Sequence, residues 1–321
     1  MLLKVRVIMI FILLLAFGLS PATRSQDSRV DEIAFPNLSG PYLGQTPPGT
    51  APVRFASGII PIGNIEHCFP TVAPDGREIY WMSIKRGERP KTLYACEKDG
   101  RWIAPEDPPM MEDYLIMNPC FSPDGRRLYF ASNLPGGFGG LDIWYIEKTD
   151  SLWSAPVNAG SPPNSEASES QPTVTESGTV YFIVPGPKGE TWDKLVCRSE
   201  FKDGQYQPVD TLGEEINGPT CESYPFIAPD ESYLLFGSCR PGGKSSETDL
   251  YISFRDSDGT WSTPQHLDES INNGHTVTFS YVTRDGEYLL FNRFIDEKGG
   301  TDAFFWVSSE ILDRYRPKSE E

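Results

Sequence analysis

A nine-residue phrase, Ser122-Pro123-Asp124-Gly125-Arg126-Arg127-Leu128-Tyr129-Phe130, occurs in five altered copies along the chain. The others begin at Ala73-Pro74-Asp75-Gly76, Thr175-Glu176-Ser177-Gly178, Ala228-Pro229-Asp230-Glu231 and Thr283-Arg284-Asp285-Gly286, and each runs into an aromatic strand pattern. The steps between Pro74, Pro123, Glu176, Pro229 and Arg284 are 49, 53, 53 and 55 residues. A strand-built repeat with a period near 50 is the signature of a propeller.

Each unit parses into four strands. In the second unit, Pro119 to Ser122 leads into the Pro123-Asp124-Gly125 turn, where Pro presets φ and Gly permits φ > 0. Arg127 to Ser132 alternates and reads as a strand. The Gly-rich loop Pro135 to Gly140 precedes a third strand, Asp142 to Glu147. The fourth is Trp153-Ser154-Ala155-Pro156-Val157-Asn158, with relatives around Pro105, Pro208 and Pro264. Pro cannot donate to a ladder on both sides, so this strand is expected on the outside of the sheet. The fifth unit stops at Ser308 without its own fourth strand, whereas Thr50 to Phe55 supplies a spare one. The expectation is an all-β, five-bladed β-propeller of four-stranded antiparallel blades, closed by an N-terminal outer strand that completes the last blade. Six or seven blades are the alternative. The propeller is placed at 51–308, after an extended segment 26–50 and before a short helical tail 309–321.

Residues 1–25 read as a signal peptide. Lys4 and Arg6 precede an apolar stretch from Val7 to Leu19, and small residues follow, with cleavage expected after Ala22 or Ser25. An uncleaved anchor is the alternative. No Cys lies near the cleavage region, so no lipid anchor is expected, and the mature protein is expected to be periplasmic or secreted. The formal charge of −17 becomes −20 once Lys4, Arg6 and Arg24 are removed. That balance disfavours nucleic acid and anionic lipid as ligands.

Six cysteines suit an oxidising compartment without making a disulfide scaffold. The hairpin turning at Asp230-Glu231 pairs residues whose numbers sum to about 461, so Cys221 and Cys239 face each other across its open end. They are the expected disulfide. Cys96 and Cys197 share a repeat position and read as buried thiols. No Cys-x-x-Cys spacing occurs and only His67, His266 and His275 are present, so neither a metal site nor a cofactor is expected.

Ser122-Pro123-Asp124-Gly125 with Tyr129-Phe130, then Ser132 to Trp144, then Trp153 to Asn158, resembles the WD40-like PD40 repeat of the TolB type. The resemblance covers about residues 50–308; the third and fifth units lack the full Pro-Asp-Gly turn. It implies a bacterial exported propeller with a protein-binding role.

The face opposite the Pro-Asp-Gly turns carries the candidate binding residues. His67, Asn118, Glu169, Glu222 and His275 lie where chains lead into innermost strands, and Asn133, Arg240 and Arg293 lie in the loops between second and third strands. Such a ring at a channel mouth suits a protein, peptide or glycan ligand. The strand-opening Asp142, Asp193, Asp249 and Asp302 are expected to accept backbone N–H bonds from the loop before them. The competing reading is a glycosidase using Glu169 and Glu222, which needs two carboxylates roughly 5–10 Å apart. Asp256 to Trp261 departs from the sialidase Asp-box spacing, and there is no nucleophile elbow or phosphate loop. A non-enzymatic, monomeric binding scaffold is the expectation.

Overall fold

The computed structural model describes residues 35–60, 65–84, 90–108, 116–149, 152–190, 193–245, 248–296 and 301–317. The chain divides into two compact units, Met1–Pro36 and Asn37–Glu321. The expected signal peptide lies outside the described residues, as do the side chains of His67 and Cys68. The second unit is a five-bladed β-propeller of antiparallel sheets.

The blades follow the repeat. Their innermost strands are Ile65–Val72, Met117–Phe121, Ser170–Val174, Glu222–Ile227 and Val277–Val282. The second strands are Glu78–Ile84, Arg127–Ser132, Val180–Pro185, Tyr233–Ser238 and Tyr288–Asp296, and the third strands are Lys91–Lys98, Asp142–Thr149, Lys194–Ser199, Asp249–Phe254 and Thr301–Ser308. The second strands do not alternate in burial. Tyr233–Ser238 is buried at every position. Each blade is covered by a neighbour on both faces, so the apolar clusters lie between blades. Tyr80 and Tyr94 of blade 1 meet Phe121, Phe130 and Trp144 of blade 2, and Tyr181 and Val196 of blade 3 meet Ile227 and Phe236 of blade 4. Each fully buried aromatic contributes roughly 2–3 kcal/mol.

Outermost strands break at their prolines. In blade 2, Leu152–Trp153 pairs with Thr149 and Lys148, the chain leaves the ladder at Pro156, and Val157–Asn158 pairs again with Tyr145 and Trp144. The missing N–H makes this interruption tolerable only at an outer edge.

The turn phrase has a shared mechanism. Asp75, Asp124, Asp230 and Asp285 each accept the N–H two residues on, at 2.9–3.1 Å. In the third unit Ser177 takes that role from Thr179 N at 3.4 Å. The following residue is left-handed in every unit, at φ 70, 69, 88, 61 and 78° for Gly76, Gly125, Gly178, Glu231 and Gly286. Gly125 is also sterically required, because a Cβ there would lie 2.8 Å from Pro74 Cδ of the adjacent turn. Glu231 holds the same conformation with a side chain, and its carboxylate pairs with Arg255.

Ring closure comes from the N-terminal side. Val53–Arg54 pairs with Trp306 and Phe305 of the last blade's third strand, and Phe55 N donates to Phe304 O at 2.8 Å. Upstream, residues 38–49 join the first and last blades. Trp102 Nε1 of blade 1 donates to Gly40 O at 2.7 Å, and Gly40 N donates to Glu97 Oε1 at 2.7 Å. Tyr42 is buried, packs on Tyr288 and Trp306, and donates to Asp285 Oδ2 at 2.5 Å. Burial and Asp285 push its phenol well above the usual tyrosine range. After the last strand, Ser309–Tyr315 form a 3-10 helix.

Tyr42→Phe is therefore expected to cost about 1–2 kcal/mol through the lost bond to Asp285. Tyr42→Ala is expected to cost about 3 kcal/mol or more through the cavity it leaves. Urea unfolding of the two variants checks both values; a Tyr42→Ala variant as stable as the parent would remove this clasp from the closure.

Candidate functional site

The channel is shaped by one irregularity repeated around the axis. Asn118, Gln171, Tyr224 and Phe279 have φ of 53, 56, 57 and 42°, and all sit at the same position of their innermost strands. The ladder register shifts at each of them, between Met117 and Cys120, Ser170 and Thr173, Ser223 and Phe226, and Thr278 and Ser280. Blade 1 shifts similarly between Cys68 and Thr71. In three blades the residue that follows is proline, Pro119, Pro172 and Pro225, which has no N–H to give to the ladder and is accommodated by the bulge. Blade 5 has Ser280 instead of Pro and keeps the bulge.

Among the described residues these bulges line the axis. The cavity they line has a volume of about 50 Å³, enough for a few water molecules. The Tyr224 and Phe279 ring centroids are 4.1 Å apart, and Tyr224 N donates to Gln171 Oε1 at 2.7 Å. Towards the turn face, Arg284 reaches from blade 5 to blade 2. It donates to Phe121 O at 2.5 Å and to Cys120 Sγ at 3.3 Å, with its guanidinium 5.3 Å from the Tyr281 ring. Arg284 stands where the first, second and fourth units carry Pro, and no repeat pattern announced that use.

The two candidate carboxylates serve loops. Glu169 is 1% exposed and accepts Ser165 N at 3.1 Å and Ser165 Oγ at 2.5 Å. Burial raises its pKa. Glu222 is 0% exposed, accepts Thr220 Oγ1 at 3.2 Å, and lies 3.5 Å from Arg240 Nε. Burial pushes its pKa up to about 7, against the opposing pull of Arg240. Arg240 also donates to Glu215 O and Ile216 O at 2.6 and 2.5 Å. Arg293 does the equivalent in blade 5, donating to Ser270 O at 3.1 Å while lying 4.1 Å from the Phe305 ring centre. Burial lowers its pKa. Glu222 and Arg240 are thus the candidate pair that the fold brings together. Asn118 lies on the axis, Asn133 is exposed at the start of its loop, and half-buried His275 donates its N–H to Asn273 Oδ1 at 3.3 Å.

Beside that pair, Cys221 and Cys239 form a disulfide, with Cα atoms 5.4 Å apart and a sequence separation of 18. The hairpin sum is 461 at Phe226–Leu235 and 460 at Glu222–Ser238, the change arising at the Tyr224 bulge. Cys197 is buried, but Cys96 is only half-buried, on the edge of the cluster between blades 1 and 2.

The loops of the mouth face are held by two recurring polar residues. Asp142 accepts Phe138 N at 2.7 Å and Gly139 N at 3.1 Å, Asp193 accepts Lys188 N at 2.5 Å, and Asp249 accepts Lys244 N. Asp302 instead accepts Asn292 Nδ2 at 2.7 Å. The second residue is an asparagine, which the sequence motifs above do not include. Asn164, Asn217 and Asn272 insert side-chain amides beside the third strands, each accepting one backbone N–H at 2.7–2.9 Å and donating to the same residue's carbonyl at 2.9–3.0 Å. Their partners are Ile143, Val196 and Leu250. The signal was available as a third set of repeat-spaced residues, Asn164, Asn217 and Asn272. Among the described residues no group of three or more His, Cys, Asp or Glu is arranged to hold a metal ion. No helix among them is long and apolar enough to cross a membrane.

No protein-family model and no curated protein matches the chain. Solved structures do match. TolB from Acinetobacter baumannii is similar over 75% of this chain and 56% of its own, at 17% identity and a TM-score of 0.40. A Bacteroides ovatus xyloglucan PUL GH43B is similar over 80% of this chain and 54% of its own, at 15% identity and a TM-score of 0.50. A GH43 endo-arabinanase from Bacillus licheniformis is similar over 76% and 94%, at 13% identity and 0.45. The chain thus spans little more than half the length of the first two. At identities this low the likeness carries nothing about what the chain does.

Glu222 should make stability depend on pH. Its folded pKa lies above the unfolded carboxylate value, so the folded state keeps a proton that the unfolded state releases. Its contribution is full below about pH 4.5 and is lost as pH rises to about 7, roughly 3 kcal/mol in all. Glu222→Gln is expected to match the parent near pH 4 and exceed it at pH 8, as read from urea midpoints. Equal midpoints at pH 8 would exclude a buried, proton-holding carboxylate.

Proposed function

We propose that the chain is an exported, non-catalytic β-propeller of the TolB-type PD40 kind, acting as a monomer, whose mouth face binds a protein, peptide or envelope glycan. The observation that carries this reading is that both candidate carboxylates are buried and bonded to the loops beside them. A glycoside-cleaving site needs two carboxylates flanking a groove that admits a sugar ring and a water. Here the central cavity has a volume of about 50 Å³, and Glu169 and Glu222 are committed to Ser165, Thr220 and Arg240. Export is supported by the leader-like residues 1–25 and by the Cys221–Cys239 disulfide, which suits an oxidising compartment. The PD40 kinship is supported by the five turn phrases and their shared Asp- or Ser-capped geometry. The formal charge of −17 directs the choice of ligand away from nucleic acids and anionic lipid surfaces.

The test pairs an activity assay with a binding assay. The purified protein is expected to leave a panel of chromogenic glycosides unhydrolysed. It is also expected to retain one partner from envelope extract, and to lose that partner when Asn133→Arg disturbs the mouth face. Glycoside turnover abolished by Glu222→Gln would overturn the non-catalytic reading.

A further inference from the structure

Three successive blades hold one loop residue in the same way and use it differently. The N–H groups of Phe138, Lys188 and Lys244 are bound by Asp142, Asp193 and Asp249, so these residues occupy one slot in blades 2, 3 and 4. In blade 3, Lys188 Nζ donates to Pro219 O at 3.1 Å. In blade 4, Lys244 pairs with Glu269. Pro219 and Glu269 belong to the chain leading into the next blade, so in both cases the slot's side chain ties blade to blade.

Blade 2 makes the same tie with backbone. Gly140 N donates to Ala167 O at 2.7 Å, and Leu141 N donates to Ser168 Oγ at 3.1 Å. The approach is too close for any side chain. A Cβ on Gly139 would lie 2.1 Å from Ala167 O, and one on Gly140 would lie 2.4 Å from Ser168 Oγ. The slot residue is thereby left free of structural duty, and it is an aromatic ring, 50% exposed, on a loop pinned at both ends. A ring carried on a backbone that is already held adds little main-chain ordering cost on binding, which suits it to recognition.

We propose that Phe138 is the stacking platform for one ring of a neutral saccharide bound at the mouth face between blades 2 and 3. The assignment rests on the mouth-face reading above and names its ligand. The surroundings favour a sugar over an apolar protein surface. Asn133 on the same loop and Glu166 on the facing one are exposed polar groups, able to bond hydroxyls while the ring meets a C–H face. An apolar protein anchor needs a contiguous desolvated patch. Of the other exposed large hydrophobics among the described residues, Val53, Leu152, Val157 and Val209 lie on or beside outermost strands, and Ile295 lies at the end of the second strand of blade 5, not in blade 2 or 3. The strongly negative chain disfavours an acidic sugar.

The test is calorimetric titration of the purified protein with uncharged oligosaccharides: β-1,4- and α-1,4-linked glucose and β-1,4-linked xylose. At least one is expected to bind. Phe138→Ala should weaken it about tenfold, the worth of one aromatic contact. Phe138→Trp should restore it, with both Phe138 variants melting like the parent, and Lys244→Ala should leave binding unchanged. Absence of binding to every oligosaccharide, or binding unaffected by Phe138→Ala, overturns the assignment. If a protein partner is meanwhile held and is lost on Asn133→Arg, the mouth-face reading survives alone. If that partner is indifferent to Asn133→Arg, both fall.

Discussion

A propeller blade can bury both of its faces only if it has a neighbour on each side, and a linear chain has two ends. The pairing of Val53–Arg54 with the third strand of the last blade removes that difficulty. It covers the outer edge of Thr301–Ser308 and links the beginning of the repeat array to its end. Tyr42, Tyr288 and Trp306 pack over the same seam, with Phe55 set edge-on against Trp306. Without closure, blades 1 and 5 would each turn one apolar face to water. The interblade clusters are worth several aromatic burials apiece, so the two-strand closure governs far more energy than its own few hydrogen bonds contribute.

Within the closed ring, polar side chains do the work that would otherwise fall to extra strand. Blade sheets end early at their outer edges because proline interrupts them, leaving third-strand N–H and C=O groups to be satisfied. Asn164, Asn217 and Asn272 take these groups with planar amides that mimic a peptide unit. The adjacent aspartates are buried yet tolerated, since loop N–H groups, and in two cases Asn158 or His266, supply the compensating bonds. Glu222 is the exception. Thr220 Oγ1 and a guanidinium at 3.5 Å only partly offset its burial, and its pKa is accordingly raised.

The outward-facing differences among blades then become interpretable. Identical backbone pins carry phenylalanine in one blade and lysine in two others, and the lysines are engaged by the next blade while the phenylalanine is not. A repeat protein can vary such a position without disturbing its core, because the bonds that hold the loop come from the main chain.

The number of blades, the turn positions, the outermost place of the proline strand, the closing N-terminal strand and the Cys221–Cys239 register were all legible in the sequence. They are periodic or pairwise properties, and period and register are carried by residue order alone. The alternating burial expected of the second strands was not observed, because alternation describes a sheet with one wet face and these sheets have none. The mouth residues show the same division. Residue order put Glu169, Glu222, Arg240 and Arg293 on one face, but only the folded ring decided that they brace loops, since each finds its partner on a segment that is distant in sequence or hidden within a turn. How far the bulges narrow the axis was likewise a tertiary matter. It depended on where the bulges before Pro119, Pro172 and Pro225 aim their side chains once five innermost strands surround a common axis.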